Sequence, residues 1–285
     1  MEKLTYAICI PIIFILLWSS GYIFVESGLR YSTPLLFLSL RFIIASIILA
    51  IILLIRKTKI ELTIKEIIQI SLTGILLQGV YLGFFFFALN EKISPGILAI
   101  ILGVQPLLIA ILIREKLLLR QKLGLFLGFI GLSLTIGNII FNGNINFLGI
   151  TSAFIALAGI TIGTVLQKKY CVNVPLDLKM FIHYLISALL IIIVCLLFEK
   201  AHVVWTYKFL ISLLWVSVVM SIGAFYLFFA LLKLGKASSV TSLLYCVPPV
   251  TAGMDYLIFH NSLPFYSIVG MMFVIISLIL IHQRT

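Results

Sequence analysis

The sequence predicts an all-α integral membrane protein, with ten transmembrane helices arranged as two inverted five-helix repeats. Three observations carry this expectation. Apolar residues make up 63% of the chain against 10% charged, with a mean hydropathy of +1.28, far less charge than a soluble domain of this length carries. The apolar residues come in spans of about 20, the length that crosses a hydrocarbon core of about 30 Å. Two stretches half a chain apart also read alike, FALNEKISPGILAIILGVQP from Phe87 and FALLKLGKASSVTSLLYCVP from Phe229. At that offset of 142 residues Phe87, Ala88 and Leu89 fall on Phe229, Ala230 and Leu231, Pro106 falls on Pro248, and Gly21 falls on Gly163.

In chain order the spans are expected at 6–26, 34–55, 67–89, 94–113 and 123–141, then 148–168, 178–198, 209–232, 238–258 and 264–281. Long apolar runs such as Ile43–Ile55 and Leu185–Phe198, each holding a single serine, favour helices over barrel strands, which would alternate. The seam is Asn142–Asn146, NGNIN, a turn-rich stretch. It divides the chain into repeats at 1–145 and 146–285. Five spans per repeat is an odd number, so the two repeats enter the membrane in opposite senses. The longest loop holds about ten residues, which leaves no room for a soluble domain. Met1-Glu2-Lys3 precedes an apolar run without a small-residue cleavage pattern, so the run is read as the first span and not as a leader.

The net charge of +11 follows topology rather than nucleic acid. With the N-terminus inside, the cytoplasmic segments hold 15 of the basic residues and the outer loops four, Arg30, Lys92, Lys200 and Lys208. That asymmetry is the positive-inside rule. It places both termini in the cytoplasm and the chain in the cell (inner) membrane, with its basic excess facing anionic headgroups. Cys9, Cys171, Cys195 and Cys246 show no paired spacing, so neither a disulfide framework nor a metal site is expected. No cofactor is expected either.

The residues resemble the drug/metabolite transporter superfamily, in its EamA-type ten-helix branch. The resemblance rests on Trp18-Ser19-Ser20, Pro34 through Arg41, Phe87-Ala88-Leu89, Ser94 and Gly96, Gln105-Pro106-Leu107-Leu108 and Arg114-Glu115-Lys116-Leu117. It continues through Gly124, Gly128 and Gly131, then Tyr226–Leu231, Ala237-Ser238 and Pro248. Two departures stand out. The family closes the ninth-span hairpin with Gly-Glu, where this chain has His260-Asn261. Pro106 lies nine residues before Glu115, whereas Pro248 lies thirteen before Asn261, so the first half lacks about one helical turn. The resemblance implies a secondary carrier for a small organic metabolite, an amino acid or related compound. Export is the first expectation, with uptake or exchange as the alternative.

Polar groups inside hydrocarbon need a partner or a wet cavity, which selects the candidates. Arg41 lies seven residues from Pro34, about 10 Å along the helix. It reads as a bidentate ligand for a substrate carboxylate or phosphate, or as a partner of Glu26. The 142-residue offset sets His183 against Arg41. His183 reads as a titrating group in a proton-coupled cycle or as a packing residue. Asp255 is the one carboxylate well inside the expected spans, and it reads as a coupling group or as interfacial. Pro106, Pro248 and Pro249 break helices and free upstream carbonyls, which locates a cavity and its gates beside Gln105 and Tyr245. Trp18, Tyr81, Tyr226 and Tyr245, with Gln78, complete the substrate-binding candidates. Gly124, Gly128 and Gly131 allow close helix contact within the monomer or in a homodimer.

Other classes fit less well. There is no GxxxxGK[ST] for a nucleotide-driven pump. A membrane-embedded enzyme would need two intramembrane carboxylates, or an HExxH or GxSxG motif, and the sequence contains none of these.

Overall fold

The computed structural model describes residues 2–58, 61–112, 119–141, 146–171, 174–224, 226–227 and 246–282. Among the described residues all regular structure is helical, apart from one isolated bridge between Ser32 and Val203. The helices are α1 (Glu2–Leu29), α2 (Pro34–Ile55), α3 (Ile64–Asn90), α4 (Pro95–Leu102), α5 (Gln105–Leu112) and α6 (Leu119–Phe141). They continue as α7 (Phe147–Tyr170), α8 (Leu176–Phe198), α9 (Tyr207–Ala224), α10 (Val247–Phe259) and α11 (Phe265–His282). Six stretches are long and apolar enough to cross a membrane: Ile10–Leu29, α2, α3, α7, α8 and α9. Shorter apolar stretches occupy Lys122–Thr135 in α6 and Phe265–Ser277 in α11.

Local chemistry sets the helix starts. Pro34 and Pro95 open α2 and α4, where a missing N–H costs nothing. Ser94 caps α4 by accepting the Ile97 N–H. Thr63 and Glu66 form a capping box at α3, in which each otherwise orphaned backbone N–H donates to the other residue's side chain. Asn146, the last residue of the seam, caps α7 by accepting the Gly149 N–H at 3.2 Å and donates to the Glu91 carbonyl at 2.8 Å. The rest of the seam, 142–145, lies outside the described residues.

Two features depart from plain α-helix. The fourth expected span is broken: α4 ends at Leu102, a turn holds Gly103 and Val104, and α5 begins at Gln105. Pro106 explains the site of the break, since it has no N–H to offer the Leu102 carbonyl. The second feature was not foreseen. Helix α3 widens into a π-helix over Ile75–Val80, and α9 does so over Trp215–Ala224. Shifted by the 142-residue offset, the first π segment covers 217–222, inside the second.

The chain forms two compact units. One comprises Phe24–Asn90 and Thr151–Ser221. Its centre is the pair α2 and α8, with α3 packed on α8. Gly74 lets α3 approach the His183 backbone, since a Cβ there would lie 2.8 Å from the His183 Cα. Two acidic residues hold the ends of α2. Both carboxylate oxygens of Glu199 accept from its N-terminus, from the Leu35 and Leu36 N–H groups at 3.0 Å each. At the other end Asp177 pairs with Arg56. The α1–α2 and α8–α9 connections are stitched together by the Thr33 N–H to the His202 carbonyl and the Val204 N–H to the Tyr31 carbonyl.

The other unit comprises Met1–Ile23, Glu91–Ile150 and Ile222–Thr285. There α6 packs along α11, and α10 along α4. At the α6–α11 crossing, a Cβ on Gly131 would lie 2.4 Å from the Gly270 carbonyl oxygen, and a Cβ on Gly270 equally close to that of Gly131. The Ser277 hydroxyl adds a bond to the Gly124 carbonyl at 2.5 Å. Gly131 of the glycine stripe is therefore committed to a contact within the chain. Each compact unit draws on both sequence repeats.

Candidate functional site

Arg41 sits on α2, buried at 6% exposure. Its Nε donates to the Ser221 hydroxyl at 3.0 Å. Ser221 lies in the π segment of α9 and passes its own proton to the Val216 carbonyl, five residues back, at 2.8 Å. Tyr184, on α8 and fully buried, donates to the Ser221 carbonyl at 3.0 Å. Gln78, buried in the π segment of α3, lies beside Tyr184. Tyr81 and Tyr184 lie close enough to Arg41 to feel its charge. Arg41, Gln78 and Tyr81, three of the sequence candidates, thus share one polar cluster in one compact unit.

Ser221 and Tyr184 are the members that sequence reasoning missed. Tyr184 had a faint signal, because it follows His183, the 142-residue counterpart of Arg41. Ser221 had none, since a serine on an apolar helix is unremarkable. The expected alternative partner of Arg41, Glu26, is not its partner. Among the described residues, no carboxylate lies within ion-pair distance of Arg41.

His183 makes different contacts from Arg41. Its Nε2 lies 3.0 Å from the Thr73 hydroxyl, which donates to the Ile70 carbonyl at 2.8 Å. A hydroxyl has one proton, so Nε2 is the donor in the His183 bond. Cys171 completes the group at 3.4 Å from Thr73. This arrangement ties α3 to α8.

The remaining candidates lie in the other unit. The break after α4 and the start of α10 are neighbours there: a Cβ on Gly103 would lie 3.2 Å from the Pro248 ring. The Ser19 hydroxyl reaches the Val247 carbonyl at 3.5 Å, which brings α1 to the same point. Trp18, half-buried beside Ser19, packs on Phe14 with ring centroids 5.4 Å apart. Gln105 and Tyr226 are half-buried, as is Pro249, while Pro248 is buried. Tyr245 and Arg114–Leu117 lie outside the described residues.

Asp255 is fully buried on α10. One oxygen accepts the Gly96 N–H at 3.0 Å, in the first turn of α4, and the other accepts from the Asn261 amide at 2.9 Å. A carboxylate at a helix N-terminus meets the positive end of its dipole. Gly96 eases this approach, because a Cβ there would sit a tight 3.2 Å from the Ala252 Cα. His260, between them in sequence, is left-handed with φ 59°. Among the described residues no group of three or more His, Cys, Asp and Glu side chains is arranged to hold a metal ion.

Known proteins agree with the helical reading. A solved crystal structure aligns over 97% of both chains with a TM-score of 0.67 at 19% identity, a likeness of fold. Two relatives come from Bacillus subtilis (strain 168). The uncharacterized transporter YvbV is 27% identical over 95% of this chain and 90% of its own. The uncharacterized transporter YoaV is 23% identical over 90% of this chain and 89% of its own. The EamA-like transporter family model matches twice, at residues 5–137 and 147–283. With six helices able to span a membrane and nearly the whole chain matched, this is a multi-pass membrane protein that belongs to the EamA-like transporter family.

Proposed function

We propose that the chain is a secondary transporter that moves a small organic metabolite, an amino acid or related compound, across the cytoplasmic membrane by alternating access. In this reading ten crossings form two inverted five-helix repeats, residues 1–145 and 146–285, with both termini cytoplasmic. Export is the favoured direction. The asymmetry of basic residues supports the orientation of the chain, and family membership supports its class. The observation that carries the reading is Arg41. A permanent charge is buried on a membrane-length helix, surrounded by hydrogen-bonding groups, with no carboxylate from a described residue beside it. Intramembrane ionisable residues that lack a structural counter-charge mark solute pathways.

The test is flux in vesicles reconstituted with the full chain and loaded with labelled amino acids, measured in both orientations. Gradient-driven movement that disappears in Arg41→Ala, with membrane abundance retained, supports the reading. Equal loss of flux and abundance assigns Arg41 a structural role. Catalytic turnover in detergent without vesicle flux would point to a membrane-embedded enzyme instead.

A further inference from the structure

We infer that the Arg41 site takes an anionic group, gripped end-on by the two terminal nitrogens of the guanidinium, and that Tyr184 and Ser221 are the positioning residues that set this direction. The inference rests on the transporter reading for its purpose, but not for its chemistry.

A guanidinium carries five N–H donors and cannot be deprotonated in a protein. It offers an oxyanion two edges, one through Nε and one through the Nη pair. In this protein Ser221 occupies Nε, and the Ser221 hydroxyl is itself held by the Val216 carbonyl. The side-on edge is therefore closed. The Nη pair makes no hydrogen bond to a described residue, so the open edge faces along the Arg41 axis. Burial of that charge is unfavourable unless an opposite charge meets it. A ligand oxyanion supplies one, in the parallel two-bond geometry that arginine favours.

The surroundings support a built site rather than an isolated cation. Tyr184 fixes Ser221 as well, through its carbonyl. Gln78 reaches Tyr184 from the other π segment. The two π segments stand at positions related by the 142-residue offset, and π segments recur at functional sites because they displace backbone groups from the regular ladder. Tyr81 lies within electrostatic range of Arg41 and offers a hydroxyl for a polar group next to the anion. A carboxylate and a phosphate share the required chemistry.

The experiment measures thermal unfolding of the purified full chain in detergent. The probes are leucine, phenylalanine and threonine, each beside its own carboxamide, and inorganic phosphate. A ligand that binds the folded state raises the unfolding temperature. The free acids are expected to stabilise and their amides not to. Arg41→Gln weakens the acids about 10- to 100-fold, the loss typical of a charged hydrogen bond. Arg41→Lys, which keeps the charge without the fork, restores only part of it. Tyr184→Phe and Ser221→Ala are expected to raise the vesicle KM for an acid about 3- to 10-fold at unchanged kcat, whereas a purely structural role lowers abundance and leaves KM alone. Stabilisation by phosphate alone keeps the anion and names phosphate as its form. Equal stabilisation by acid and amide, undiminished acid binding in Arg41→Gln, or no response to any probe overturns the inference. Flux without acid selectivity sinks the anion site and leaves the transport reading standing. Acid-selective, Arg41-dependent stabilisation without flux does the reverse.

Discussion

The Asn261 side-chain amide donates to the Asp255 carboxylate at 2.9 Å, across the end of α10. The resembled family pattern places Gly-Glu where this chain has His260-Asn261. An acidic residue at 261 would set a second carboxylate against the buried one. Asn261→Asp is therefore expected to lower stability by about 1–3 kcal/mol, by removing a donor and adding repulsion. Thermal unfolding in detergent measures it. An unchanged melting temperature would remove Asn261 from the account of Asp255.

His260 carries the opposite expectation. Its φ of 59° costs a side-chain-bearing residue about 1–2 kcal/mol that glycine does not incur. His260→Gly should raise stability by about 1 kcal/mol. A loss of stability would show that the imidazole makes a contact worth more than the backbone strain.

Gly131→Ala should destabilise by about 1–3 kcal/mol through overpacking, because the new methyl meets the Gly270 carbonyl and not a movable side chain. Melting measured beside light scattering separates two roles. A lower melting temperature with unchanged mass confirms the intrachain contact, and a change in mass alone would reassign the stripe to a dimer.

Glu199 holds the first free amides of α2. Glu199→Ala should cost about 1–2 kcal/mol, the range of a lost N-cap. Asp177→Asn at the opposite end should cost less, about 1 kcal/mol or under, because Arg56 is 57% exposed and solvent screens the pair. Unfolding of the two variants side by side tests the order, and a reversal would refute it.

Gln105 follows the break between α4 and α5. In a background with Cys9, Cys171, Cys195 and Cys246 replaced, Gln105→Cys should react with a membrane-impermeant thiol reagent, and added substrate should change the rate. Complete protection from both faces would show that the break serves packing alone.

Much of this architecture was legible in the sequence because the bilayer imposes coarse rules. Helix α2 begins and ends where its apolar run does, at Pro34 and Ile55. The break beside Pro106 follows from a missing donor, a property of one residue. Arg41 stood out because a charge inside an apolar run is conspicuous. Its partner did not, since Ser221 is 180 residues away and serine is common in such helices. The π segments were equally hidden, because a change from α to π hydrogen bonding shifts a carbonyl's partner by one residue and leaves no compositional mark.

The sequence by itself determined the class, six of the ten expected membrane-length helices, the repeated family match and the buried charge, because each depends on apolar run length or on one residue's chemistry. Only the tertiary structure decided which polar groups meet. It set Arg41 against Ser221 instead of Glu26, turned His183 toward Thr73, and gave both oxygens of Asp255 to protein donors. Those outcomes depend on how helices distant in sequence rotate against one another, and a single glycine such as Gly96 or Gly131 sets how closely they approach.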